Sequence, residues 1–125
     1  MTVLVDSWCW IEYLKGSDKG ELTRDYIEGE ERLLISVINV AEVYKFLLSN
    51  RTIKESKEFL DFMLKRSFVI PVITQIAVEA AIIKHEKKWG LADAIVAATA
   101  KLYKVKLITG DSDFKKESDV IYFGN

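Results

Sequence analysis

Four acidic residues, Asp6, Glu42, Asp93 and Asp111, stand where their carboxylates could reach a common point. Asp6 ends the apolar run Thr2-Val3-Leu4-Val5, and Asp111 follows Leu107-Ile108-Thr109 across a single glycine. Glu42 and Asp93 each fall in the expected first turn of a helix, the first after Leu33-Leu34-Ile35-Ser36 and the second after Gly90. Carboxylates that converge without basic partners repel one another strongly. The usual resolution is a hard divalent cation, Mg²⁺ or Mn²⁺, which prefers oxygen ligands. Such an ion activates water and neutralises charge on a phosphate during transfer.

Each acid also has a local explanation. Asn39-Val40-Ala41-Glu42 fits a capping box, with Asn39 as cap and Glu42 at the third helical position. Asp93 in a first turn would favour the helix dipole. Asp111 after Gly110 suits a turn or a helix cap. Asp6 is hardest to explain locally, because a charge ending a buried strand needs a partner or solvent. The four signals gain force only if they meet in space.

The elements that must position them follow from the apolar pattern. Thr2–Val5, Leu33–Ser36, Phe68–Ile70 and Val105–Thr109 read as short, nearly unbroken apolar strands, with Asp119–Phe123 as a last edge strand. Helices are expected over Ser7–Leu14, Asp18–Glu28, Val40–Leu48, Thr52–Lys65, Thr74–Lys88 and Leu91–Tyr103, with Ser7, Asp18, Thr52 and Thr74 as caps. Gly16, Gly29 and Gly90 are the expected breaks. Strands alternating with helices predict an α/β domain with a mostly parallel sheet. In such sheets ligands lie beyond the carboxyl ends of the strands, where Asp6 and Asp111 would sit.

Composition narrows the choice. A chain of 125 residues supports one domain, residues 1–125, and its 50% hydrophobic and 30% charged content is that of a globular protein. The 18 basic and 19 acidic residues nearly cancel, which excludes a general nucleic-acid coat protein but leaves room for a local site. One cysteine, Cys9, and one histidine, His85, exclude an internal disulfide and a cysteine or multi-histidine metal cage. No apolar run approaches the roughly 20 residues of a membrane helix, and the start Met1-Thr2-Val3-Leu4-Val5-Asp6 is unlike a signal peptide. The expected setting is the cytoplasm.

Four motifs, in order, carry a family pattern: Val3-Leu4-Val5-Asp6-Ser7; Ser36-Val37-Ile38-Asn39-Val40-Ala41-Glu42-Val43; Gly90-Leu91-Ala92-Asp93-Ala94-Ile95; and Leu107-Ile108-Thr109-Gly110-Asp111-Ser112-Asp113-Phe114. Together they resemble the PIN-domain family, and more narrowly the VapC-type toxins of toxin–antitoxin pairs. The resemblance implies a three-layer α/β/α domain around a mostly parallel sheet of four to five strands. It implies a ribonuclease that hydrolyses RNA phosphodiester bonds with Mg²⁺ or Mn²⁺, and it assigns Asp6, Glu42, Asp93 and Asp111 to catalysis and metal binding. Asp113 matches a further acid that assists through water, while Ser7 and Thr109 match small hydroxyls that orient the carboxylates.

The same resemblance implies a small antitoxin seated in a groove of the early helices, and a homodimer. The large apolar residues Trp8, Trp10, Tyr13 and Leu14, with Tyr44, Phe46, Leu47 and Leu48, exceed what one buried face requires. Lys84, Lys87, Lys88, Lys45 and Arg51 are candidate phosphate contacts, and equally a solvated face. Other readings stay open: a PIN-domain nuclease of RNA processing or decay, or a catalytically silent PIN-like binding module. A receiver domain is disfavoured, because the third strand leads to Pro71-Val72-Ile73-Thr74 with no acid. A nucleotide-driven enzyme lacks its glycine-rich loop.

Overall fold

The apolar alternation of the central strands sets the architecture. In strand β1 (Thr2–Val5), Leu4 points to one side of the sheet while Val3 and Val5 point to the other. The same split recurs in β2 (Arg32–Ser36), where Leu34 faces one core and Leu33 and Ile35 the opposite one. Both faces therefore need covering, and helices supply the cover. The computed structural model describes residues 1–125 and shows three layers, α/β/α, built from six helices and one five-stranded sheet.

The remaining strands are β3 (Ser67–Ile70), β4 (Lys106–Thr109) and β5 (Val120–Tyr122). Their order is β3-β2-β1-β4-β5, and every neighbouring pair is parallel. Helices α1 (Ser7–Lys15), α2 (Asp18–Ile27), α3 (Val37–Asn50) and α4 (Ile53–Arg66) supply one core with Cys9, Trp10, Ile27, Val43, Leu47 and Met63. Helices α5 (Thr74–Lys87) and α6 (Leu91–Tyr103) supply the other with Ile76, Ala80, Ala94, Val96 and Ala98. Burying each large side chain contributes about 1.5–3 kcal/mol, which locks the sheet register. The chain turns from the β1–β2–β3 side to the β4–β5 side between β1 and β4, so the switch point of the sheet lies there.

Several helix starts differ from expectation. Helix α3 begins at Val37, three residues before the expected Val40, because Ser36 is its cap. The Ser36 hydroxyl accepts from the Ile38 backbone N–H at 3.2 Å, and the Asn39 side chain closes a capping box back onto the Ser36 N–H. Asn39 is therefore the third helical residue, and Glu42 lies one turn further in, outside the box expected for it. Ser7 is not a cap: Asp6 occupies the capping position of α1 with no side-chain bond. Ser17 rather than Asp18 caps α2, accepting from the Gly20 N–H at 3.0 Å. Thr74 is the first residue of α5, preceded by Ile73, which cannot bond through its side chain. Thr52 caps α4 as expected, paired with Glu55 in a capping box.

Two glycines are required by geometry. Gly16 ends α1 in the left-handed region at φ 66°. Gly110 lies against the Trp8 indole, where an added Cβ would come within 2.3 Å of the ring. Helix α5 is ended not by Gly90 but by Lys88, which adopts φ 62°. On the far side, Arg66 donates to the carbonyls of Tyr26, Ile27, Gly29 and Glu31 at 2.6–3.0 Å, tying the end of α4 to the turn before β2.

Candidate metal centre

The carboxyl ends of β1 and β4 bring Asp6 and Asp111 to the same edge. The pair is held by parallel register, Val5 opposite Ile108, and by the Asp6 N–H donating to the Ile108 carbonyl at 3.0 Å. Asp93 is the third residue of α6, and its helix enters from that edge. Carboxylate oxygens of Asp93, Asp111 and Asp113 all lie within 4.8 Å of one another. Asp113 reaches this group because Asp111 caps a short 3₁₀ turn, Ser112–Phe114, accepting from the Asp113 N–H at 3.0 Å. Asp111 is thus both a cap and a member of the cluster.

Asp6 and Glu42 occupy the other side of the site and are joined by neutral donors. The Thr109 hydroxyl donates to Asp6 Oδ2 at 2.7 Å and accepts from the Asp111 N–H at 3.0 Å. The Ser7 hydroxyl donates to Glu42 Oε1 at 2.7 Å and accepts from Asn39 Nδ2 at 2.8 Å. Asn39 Nδ2 also lies 3.3 Å from Asp6 Oδ1 and 3.5 Å from Glu42 Oε1. Ser7 and Thr109 therefore each hold one carboxylate oxygen through a hydroxyl hydrogen bond.

The electrostatics bind the two sides into one site. Asp6 is only 4% exposed. Burial is the largest influence and pushes its carboxyl from 3.8 up to about 6; hydrogen bonds from Thr109 and the Ser7 backbone oppose the rise, and the charges of Glu42 and Asp111 add to it. Asp93 is pushed up to about 7, first by burial, then by the Asp111 charge, a hydrogen bond with Asp113, and the charges of Asp6 and Asp113. No lysine or arginine forms an ion pair with any of these acids. An all-oxygen donor set, crowded enough to hold protons well above the ordinary carboxylate range, fits a hard divalent cation.

Asn39 is the residue the motif reading mistook. It is fully buried and touches three members of the site, yet its type and place suggested a helix cap. The available signal was Ser36, a good cap three residues earlier, which frees Asn39 to face inward one turn before Glu42. The candidate phosphate contacts fare unevenly. Lys84 donates to the Trp89 carbonyl at 3.0 Å within the α5–α6 turn, and Lys87 pairs with Glu117 at 3.0 Å, tying the end of α5 to the segment before β5. Arg51 donates to the carbonyls of Asn50 and Leu14 at 3.1 Å. Lys45 and Lys88 stay exposed and form no ion pair.

The PIN domain family model matches this chain over residues 3–118. The chain belongs to the PIN domain family. Among curated proteins, none matches this PIN domain in sequence. Its fold is similar to a chain of a toxin–antitoxin complex from Klebsiella pneumoniae, at 24% identity and a TM-score of 0.82 over 97% of each chain. It is also similar to a chain of VapBC-1 from nontypeable Haemophilus influenzae, at 19% identity and a TM-score of 0.78 over 98% of each chain. A third similar structure is the VapC20 toxin of Mycobacterium tuberculosis, which cleaves the sarcin–ricin loop. It shares 16% identity and a TM-score of 0.74 over 94% of this chain and 96% of its own. No helix of this PIN domain is long and apolar enough to cross a membrane.

Proposed function

We propose that this PIN domain is a metal-dependent endoribonuclease, the toxin of a VapBC-type toxin–antitoxin pair acting in the cytoplasm. The observation that carries the reading is the gathering of Asp93, Asp111 and Asp113 within 4.8 Å beside the buried Asp6, with no basic partner. Asp6, Glu42, Asp93 and Asp111 are the residues that would hold Mg²⁺ or Mn²⁺, with Asp113 assisting through water. When bound, such an ion supplies an activated water and neutralises charge on the phosphodiester. The chain's own contribution is orientation. Thr109 and Ser7 each hold one carboxylate by an O–H donor, and the hydroxyls are themselves held by N–H groups. A carboxylate left ionised on this edge is also the group able to take a proton from the attacking water.

The antitoxin reading is supported by an apolar groove between α1, α2 and α4, lined by Tyr13, Leu14, Phe59 and Phe62 and rimmed by Arg24 and Glu28. Trp10 lies wholly in the core and contributes nothing to it, while Leu47, almost fully buried, forms the floor of the adjoining depression with Leu14, Phe59 and Phe62. A homodimer belongs to the same reading, and apolar surface remains for it at Phe68 on the edge strand β3 and at Val78 and Ile82 on α5. The substrate is single-stranded RNA or a structured tRNA or rRNA.

The test is cleavage of an end-labelled, mixed-sequence single-stranded RNA, with tRNA and rRNA as further substrates. Reactions run with Mn²⁺, Mg²⁺ or excess chelator, and Asp6→Asn protein controls for contamination. Cutting that needs the metal and vanishes in the variant is expected. A folded, partner-free protein that cuts none of these RNAs would overturn the nuclease in favour of a binding module.

A further inference from the structure

The geometry points to Asn39 as a positioning residue: through Ser7 it sets the orientation of Glu42, and so lets the Asp6–Glu42 side join the Asp93–Asp111–Asp113 side in holding a divalent cation. This inference rests on the metal-centre reading above.

Asn39 is fully buried, so both ends of its amide must be satisfied within the protein. Its Oδ1 accepts from the Ser36 N–H at 3.3 Å, within the capping box of α3. That bond determines the orientation of the amide, because the reverse placement would set an N–H₂ against an N–H donor and a carbonyl against two carboxylates. Nδ2 therefore faces the site with two hydrogens. One goes to Ser7 Oγ at 2.8 Å, and the other is shared between Asp6 Oδ1 at 3.3 Å and Glu42 Oε1 at 3.5 Å.

The bond to Ser7 has a directional consequence. A hydroxyl has one hydrogen to give. Accepting from Asn39 on one lone pair, Ser7 directs that hydrogen to Glu42 Oε1 at 2.7 Å. Glu42 needs this restraint. It lies on an exposed stretch of α3 and forms no ion pair, so beyond Ser7 only the longer contact from Asn39 restrains its side chain. The tether engages Oε1 and leaves Oε2 without a protein partner. Asp6 is held from two directions, by Thr109 on Oδ2 and by Asn39 on Oδ1. Asn39 is the one side chain that touches both acids, and being neutral it brings them together without adding to their repulsion.

Mn²⁺ binding to the full chain, measured by calorimetry at neutral pH, tests this without reference to catalysis. The proteins are wild type, Asn39→Ala, Ser7→Ala and the double variant, each also melted in chelator. Loss of an outer-shell partner weakens metal binding by roughly 10–100-fold. Asn39→Ala is expected to weaken Mn²⁺ binding by at least about tenfold, and Ser7→Ala to do so similarly. The double variant is expected to be no weaker than the weaker single variant, because the two residues form one chain of bonds. A merely structural Asn39 would lower the melting temperature in chelator and leave the Mn²⁺ affinity of the folded protein unchanged. That result, or fully additive losses, overturns the inference. If Asn39→Ala does not fold, Asn39→Ser replaces it, keeping a polar group but shortening its reach, with the same loss expected. Wild type that binds no Mn²⁺ overturns the metal-centre reading itself; wild type that binds normally beside an unaffected Asn39 variant overturns only the role of Asn39.

Discussion

The two sides of the acidic site are built on opposite principles. Asp6 and Glu42 are held by neutral donors: two hydroxyls and one amide, each with a fixed partner of its own. Asp93, Asp111 and Asp113 are brought together by the start of α6 and by a 3₁₀ turn that the Asp111 carboxylate itself caps, and no neutral side-chain donor separates their carboxylates. The first side is organised before any cation arrives. The second stores electrostatic repulsion that a proton or a cation relieves. The proposed metal site would draw on both: fixed ligands for geometry, and uncompensated charge for affinity.

Breaking either side separately tests whether they form one site. Asp6→Asn and Asp93→Asn are each expected to lower RNA cleavage at least about 100-fold, while far-ultraviolet circular dichroism stays native. Full activity in either variant would mean that its side is dispensable, and the comparison would collapse to a single cluster.

The next effect is on stability. Asp6 has its folded pKa raised from 3.8 to about 6 by burial, so between those values the native state binds more protons than the unfolded chain. Its contribution is therefore fully present below pH 3.8 and lost as pH rises through about 6. Protein in chelator should lose on the order of 3 kcal/mol across that window, with Asp93 extending the decline toward pH 7. Urea midpoints from pH 4 to 8 measure this. A flat or rising profile would show that the folded protein does not hold the Asp6 carboxyl above its ordinary range.

Thr109→Val sharpens the same point on the neutral-donor side. The variant keeps the shape and removes the hydroxyl that donates to Asp6 at 2.7 Å. A hydrogen bond to a charged group is worth about 1.5–3 kcal/mol. Destabilisation of that order is expected at pH 8, and clearly less at pH 4, where Asp6 is protonated and can donate or accept elsewhere. The pH window should also move upward, because the hydroxyl is what restrains the rise of Asp6.

The smallest change lies outside both sides. Thr52→Ala removes the cap of α4, far from the acids in the fold, and should cost about 1 kcal/mol in chemical denaturation. Cleavage should be unchanged. A large loss of activity would mean that the site draws on α4 for its geometry.

Much of this is legible in the sequence. The strands carried their own signature, because a sheet covered on both faces needs nearly unbroken apolar runs, as in Thr2–Val5 and Lys106–Thr109. Helix α6 was legible to its ends, Leu91 to Tyr103, since an alanine-rich segment after Gly90 has no competing pattern. The start of α3 was not. Ser36 ends a strand and caps a helix at once, and a local reading gives it only the first role. That three-residue difference makes Asn39 a buried donor at the third helical position rather than the cap, and puts Glu42 outside the capping box.

The sequence by itself determined the α/β class, the acids and their order, and the hydroxyls beside them, because each is written in residue type and in neighbours a few positions away. Only the tertiary structure decided that Asp93 and Asp111 stand with Asp113 within 4.8 Å, and that Ser7 and Glu42, 35 positions apart, share a hydrogen bond. Those distances depend on strand order, β1 lying between β2 and β4, and on the entry of α3 and α6 at one edge. The physical reason is that convergence is a property of packing: it is set by which faces must be buried together, and no short stretch of chain contains that information.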